Sequence, residues 1–97
     1  MKLRLSTAAK RERLEATRFY QDRSPSAATR FNDELRQTLE RLTTYPQSGA
    51  VVDGELRHAR LHGFPFSVVY AIGEDSIDVI AVAHDSRDPN YWRDRTR

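Results

Sequence analysis

The clearest pattern along the chain is a stripe of Ala28, Phe31, Leu35, Leu39 and Leu42, spaced by three, four, four and three residues. That is the period of one helix face, and it predicts a helix with a single buried side. Ser24-Pro25 starts it, with serine as cap and proline at the first helical position, where its missing N–H costs nothing. Tyr45-Pro46 ends it, and Gln47-Ser48-Gly49 makes a turn. An earlier helix runs from a Ser6 or Thr7 cap to about Asp22. Its inward side is expected to hold Leu14, Thr17 and Tyr20, with Phe19 at the margin and Lys10, Arg11, Arg13 and Glu15 facing out. Two amphipathic helices joined by so short a loop form a hairpin whose apolar side needs a sheet to cover it.

Alternating segments supply that sheet. Lys2 to Leu5 places Leu3 and Leu5 on one face. Leu56 to Leu61 places Ala59 and Leu61 on one face, with His58 and Arg60 on the other. Gly63 permits the turn into Phe66–Ile72, and Gly73-Glu74-Asp75 leads on to Ile77–Ala83. The expected order is β-α-α-β-β-β. This is an α+β fold, a mostly antiparallel sheet packed on one face by a helical hairpin, in one domain over residues 1–97 with no repeat, low-complexity stretch or linker. Asp88-Pro89 stops regular structure, leaving Tyr91-Trp92-Arg93 as a tail or a single helical turn.

Composition narrows the chemistry. Ninety-seven residues leave no room for a second domain. With 31% charged and 38% hydrophobic residues, much of each helix must face water or a partner. The absence of cysteine excludes a disulfide framework and a thiolate nucleophile or metal ligand. No apolar run approaches the roughly 18 residues of a membrane span, and the N-terminus has no signal-like apolar region, so a cytoplasmic protein is expected. Net charge is only +2, yet just two of the sixteen basic residues are lysine. Arginine suits bidentate contacts to phosphate or carboxylate, although a GC-rich genome produces the same bias.

The candidate chemistry lies between Glu55 and Arg95. Arg57, His58, Arg60 and His62 interrupt one strand, and the last strand runs into His84-Asp85-Ser86-Arg87 with Tyr91-Trp92 just beyond. A sheet ending in cations and aromatics suits a phosphate-bearing or acidic partner. Three scattered histidines without a ligand-spaced carboxylate make no metal site, and no cofactor is expected.

These residues resemble the RelE/ParE superfamily of type II toxin–antitoxin toxins over nearly the whole chain. The resemblance is carried by Leu14…Phe19-Tyr20, by Ser24-Pro25…Ala28…Phe31…Leu35…Leu42…Pro46…Gly49, and by Leu56-Arg57…Arg60-Leu61. Phe64-Pro65-Phe66…Tyr70 and Val82-Ala83-His84…Arg87-Asp88-Pro89…Tyr91-Trp92 complete it. It implies a bacterial, growth-inhibiting protein of the plasmid-stabilisation type, neutralised by a cognate antitoxin. The superfamily holds both gyrase poisons similar to ParE and ribosome-dependent mRNA endoribonucleases similar to RelE, and one fold cannot decide between them.

RNA cleavage through the 2′-hydroxyl needs a base, cations for the phosphorane and a proton source for the leaving oxygen. The RelE-like pattern implies His58, Arg60, His84, Arg87 and Tyr91 as that set. Ser67 stands where a third-strand arginine is expected, however, and Asp85 stands near the place of a later one. The ParE-like pattern needs no catalytic set and fits the Arg87-Asp88-Pro89…Tyr91-Trp92 ending, so it is the favoured reading. It implies Arg60, Arg87, Tyr91 and Trp92 as contacts to DNA gyrase. A degenerate member that only binds antitoxin is the third possibility. Plainer roles stand beside these: His58, His62 and Arg57 as solvated edge charges, Arg87 as a turn partner of Asp85 or Asp88, and Tyr91-Trp92 as a lid on the core.

Overall fold

The structure, a computed structural model, describes residues 1–96; Arg97, the last residue of the expected domain, lies outside it. Strand β1 (Lys2–Leu5) leads into helices α1 (Thr7–Arg23) and α2 (Pro25–Thr44). Strands β2 (Ala50–Asp53), β3 (Leu56–Arg60), β4 (Phe66–Ile72) and β5 (Ser76–His84) follow, then the short helix α3 (Asn90–Arg93) and a 3-10 turn over Asp94–Thr96. The five strands form one sheet in the order β1-β5-β4-β3-β2. β1 runs parallel to β5 and every other pair is antiparallel. The expected α+β architecture is therefore present, with one additional strand. β2 was not among the expected strands; it is a four-residue edge strand, too short for alternation to stand out. A two-residue turn, Gly54-Glu55, joins it to β3, and Gly54 adopts a φ of 56°, which glycine reaches without a Cβ clash.

The α2 stripe is core as expected: Ala28, Phe31, Leu35, Leu39 and Leu42 are all buried, the last four in one cluster with side chains of β4 and β5. At one end Phe31 meets Tyr20, Phe64 and Phe66 with ring centroids 5.3, 5.5 and 5.3 Å apart, so the Phe64-Pro65-Phe66 turn closes the core with aromatic edges. Burial there raises the Tyr20 phenol above its ordinary pKa, with the Arg23 guanidinium pulling the other way. At the other end Tyr70 donates to the Pro46 carbonyl at 2.6 Å and accepts from the Gly49 amide at 3.0 Å. A Cβ on Gly49 would stand 2.5 Å from that phenol oxygen and 2.7 Å from the His58 carbonyl, so only glycine lets the chain pass.

Helix α1 differs from expectation. Its buried side is Ala9, Glu12 and Ala16, while Leu14 is 49% exposed and Phe19 is half-exposed under the Arg23 guanidinium. Small residues win this face because α1 lies close over β5, where a leucine would hold the helix away. Tyr20 does pack inward and Thr17 is half-buried. Ser6 caps α1 by accepting from the Ala9 amide. Ser24 occupies the N-cap position of α2, but its hydroxyl bonds Ser26 instead of a helix amide.

The sheet has a second, smaller core on its opposite face, made by Leu56, Val69, Ala81, Ala83 and Trp92. A β-bulge creates it. Val69 pairs with Ala81 and Tyr70 with Val79, leaving Ile80 as an extra residue in β5. One extra residue reverses the faces of all that follow it. Ile77, Val79 and Val82 thus face the helices, while Ala81 and Ala83 turn to the far side and admit Trp92.

Leu35→Ala is expected to cost about 2–5 kcal/mol in urea denaturation, as a cavity in a closed core. Gly49→Ala is expected to cost about 1–3 kcal/mol by overpacking, and Tyr70→Phe in that background should recover part of the loss because the clashing oxygen is gone. A Gly49→Ala protein as stable as wild type would contradict the close approach.

Candidate functional site

Beyond the bulge, the far face of the sheet becomes an open cleft of about 520 Å³. Cross-strand register explains its contents. His58 stands opposite Val69, Arg60 opposite Ser67 and Ser67 opposite Ala83, all on the face that carries Trp92. The end of β5 adds His84, the loop after it Asp85 and Arg87, and α3 adds Trp92 and Arg93. Two strands and a loop thus bring His58, Arg60, His84 and Arg87 together from positions up to 29 residues apart in sequence.

Asp85 stands among these basic side chains. Its Oδ1 accepts from the Ser67 hydroxyl at 2.7 Å and its Oδ2 lies 3.4 Å from an Arg60 nitrogen. Ser67 stands where the RelE-like pattern is expected to carry an arginine and Asp85 near the place of another, and here they bond to each other. His84 is held as well: the Ser86 amide donates to its Nδ1 at 3.1 Å, so in this arrangement Nδ1 is the unprotonated nitrogen and Nε2 carries the proton. Its ring meets Phe66 edge-on at 5.2 Å.

Tyr91 lies elsewhere. It lines an adjoining cleft with Glu12, Phe19, Phe66 and Val82, and the Arg87 and Arg95 guanidiniums lie over its ring at 4.0 and 4.5 Å. Trp92, expected as a target contact, is 6% exposed and serves the second core, reaching the cleft only through its floor. Arg57 points to the opposite side and donates to the Gly49 carbonyl at 2.8 Å, bracing the connection into β2. His62 is exposed, with its amide donating to Glu34. Arg93 lies 3.3 Å from Asp53 across the cleft mouth, a contact the sequence did not indicate.

The tail is fixed by a pair that sequence reasoning missed altogether. Glu12, 7% exposed, accepts from Arg95 through both oxygens at 2.9 and 3.0 Å and from the Val82 amide at 3.1 Å. Arg95 also donates to the carbonyl of the bulged Ile80 at 2.8 Å. A signal was available: Glu12 falls between Ala9 and Ala16 at intervals of three and four, the period of a buried face. Among the described residues no group of three His, Asp or Glu side chains is placed to hold a metal, and no helix is long and apolar enough to cross a membrane.

Residues 3–89 match the family model of the ParE toxin of the type II toxin–antitoxin system parDE. The chain belongs to the ParE toxin family. Toxin ParE2 of Mycobacterium tuberculosis, in strains CDC 1551 and H37Rv, is 28% identical over 90 residues, covering 92% of this chain and 86% of the relative. Among solved structures, a chain of the chromosomal ParDE system from P. aeruginosa superimposes with a TM-score of 0.76 at 17% identity, over 87% of this chain and 95% of that one. The ParE side of the resemblance is thereby supported, and that superposition extends to the fold. In this ParE-family chain the cleft is a cation-lined surface with one carboxylate built into it.

Glu12→Leu and Arg95→Met are each expected to cost about 3 kcal/mol, because each strands a largely buried opposite charge. Arg95→Met should be the worse, since Arg95 at 18% side-chain exposure can turn to water and Glu12 cannot. The double variant should lose less than the sum of the two single losses. A thermodynamic cycle from chemical denaturation measures this, and strict additivity would contradict the pairing.

Proposed function

We propose that this chain is a growth-inhibiting toxin, held silent by a cognate antitoxin, and that its target is DNA gyrase. The observation that carries the target is the Ser67–Asp85–Arg60 chain across the centre of the cleft. A phosphorane gathers negative charge, and a site built to stabilise it needs uncompensated donors at that point. Here a carboxylate already occupies the middle of the cation set, and Tyr91 stands outside the cleft beneath two guanidiniums. A poison that works by binding needs only a shaped, charged surface, which the cleft and the Arg87–Tyr91 ridge supply.

The ribonuclease reading has one observation in its favour, the gathering of His58, Arg60, His84 and Arg87 in a single cleft. The two readings differ in how activity falls on mutation. Binding energy spread over a surface is lost in graded steps, with a few residues dominating. Loss of one group that stabilises transition-state charge costs about 10²–10³ in rate.

Gyrase cleavage and supercoiling assays, run beside primer extension on ribosome-bound mRNA, are expected to show gyrase inhibition by wild type. Arg60→Ala and Arg87→Ala should each give partial loss, and no mRNA cuts should appear. Codon-positioned cuts that vanish in Arg87→Ala would replace gyrase with the ribosome. Inactivity in both assays, with antitoxin binding intact, would indicate a member that has lost toxicity. The antitoxin is expected to raise the melting temperature strongly, by about 4 kcal/mol of stabilisation at a thousandfold excess over its Kd.

A further inference from the structure

The Ser67–Asp85–Arg60 array holds hydrogen-bonding capacity that its own members do not use up. A carboxylate has about four lone-pair directions. Among the described residues the Asp85 side chain engages two, one on Oδ1 with the Ser67 hydroxyl at 2.7 Å and one on Oδ2 with an Arg60 nitrogen at 3.4 Å. One lone pair stays open on each oxygen, and 28% of the side chain is accessible to solvent. Arg60 uses one of its guanidinium donors in that contact, and its side chain is 73% exposed.

The array sits in a cleft of about 520 Å³, inside the roughly 300–1,000 Å³ of small-molecule sites. Val69, Ala83 and Trp92 give the cleft an apolar floor. Arg87 adds a guanidinium that has no ion pair among the described residues, its contact being with the face of Tyr91. Two open acceptors beside an open donor, with a cation nearby, complement one ligand chemistry. The pairing edge of guanine presents two adjacent donors, N1–H and the 2-amino group, followed by the O6 acceptor, and its nucleotide carries phosphate. Adenine and cytosine each present an amino group beside a ring nitrogen whose lone pair would face the carboxylate. Thymine and uracil have a single N–H between two carbonyls. Guanine alone meets the array without setting lone pair against lone pair.

We propose that the cleft is a guanine-nucleotide site. Asp85 accepts from N1–H and the 2-amino group, Arg60 donates to O6, and Arg87 meets the phosphate. The ligand is a free nucleotide or an unpaired guanine in single-stranded DNA, which share this chemistry. The inference rests on the proposed function only in taking the cleft to bind and not to cleave.

The test titrates the full chain, labelled with ¹⁵N, with GMP, IMP, AMP and guanosine, following amide shifts and the fluorescence of Trp92, the one tryptophan. GMP is expected to bind with a Kd below about 1 mM and to shift the Ser67, Asp85 and Arg87 amides. IMP, which lacks the 2-amino group, should bind about tenfold more weakly, and AMP about a hundredfold. Asp85→Asn keeps the shape and an acceptor for Ser67 but replaces the second acceptor with a donor, so it should abolish the preference for GMP over AMP. Arg87→Ala should lower GMP to the affinity of guanosine and leave that preference in place. Should a variant unfold, the wild-type comparison of GMP, IMP and AMP still decides. The pentamer d(TTGTT), with d(TTATT) as its control, separates the two sources. Binding about tenfold tighter than GMP supports the site with DNA as its source, and equal or weaker binding supports it with the free nucleotide. No binding of GMP or d(TTGTT) at about 1 mM, equal affinity for guanine and adenine ligands, or shifts confined to residues outside the cleft overturns the proposal. These titrations contain no gyrase, so their failure leaves the gyrase reading standing. Guanine binding without gyrase inhibition supports the site and counts against the target alone.

Discussion

Past Val79 the outer edge of β5 has no strand beside it, and the Glu12–Arg95 pair closes it. β1 is four residues long and β5 nine, so the parallel ladder ends where the bulge at Ile80 begins. Backbone groups left there would be costly if buried unpaired. The Ile80 carbonyl takes the Arg95 guanidinium and the Ser6 hydroxyl, and the Val82 amide takes Glu12. One ion pair thereby joins α1, the open edge of β5 and the C-terminal segment. It also explains the small residues on α1, because Glu12 reaches the strand only if Ala9 and Ala16 let the helix approach. The position of Tyr91 and Trp92, and so one wall of the cleft, follows from this attachment.

The bulge sets the chemistry of the far face. It turns Ala81 and Ala83 toward Trp92 and sends Asp85 to the same side as Ser67 and Arg60. The cleft that results is cationic at its rim and carries a hydrogen-bonded carboxylate at its centre. Such a surface favours partners that present spaced anionic or hydrogen-bonding groups over chemistry that concentrates charge on one phosphorus. Arginines at positions 67 and 85 would add positive charge at the centre of the cleft, where Ser67 and Asp85 place a hydrogen-bonded carboxylate.

Much of this was legible in the linear pattern. The α2 stripe, the three longer strands, the turn at Gly63 and the closing Phe64-Pro65-Phe66 aromatics are local signals, and packing respected each of them. The departures at Ser67 and Asp85 were also legible, though not that they meet. Leu14 misled because an exposed leucine and a buried one look alike in sequence, whereas Ala9, Glu12 and Ala16 at helical spacing offered the better reading. β2 escaped because four residues at an edge carry too little alternation.

The sequence by itself determined the two long helices, the longer strands and the inward faces of α2 and β3, because helical and strand periods are properties of the chain and its side chains alone. Only the tertiary structure decided the faces of β5 after Ile80, since a bulge is defined by what the neighbouring strand pairs with. It alone brought Glu12 to Arg95 across 83 residues, and Ser67 to Asp85 across 18. Those contacts depend on how closely α1 can approach the sheet and on where β1 ends. Both are outcomes of packing, and no window of the sequence contains them.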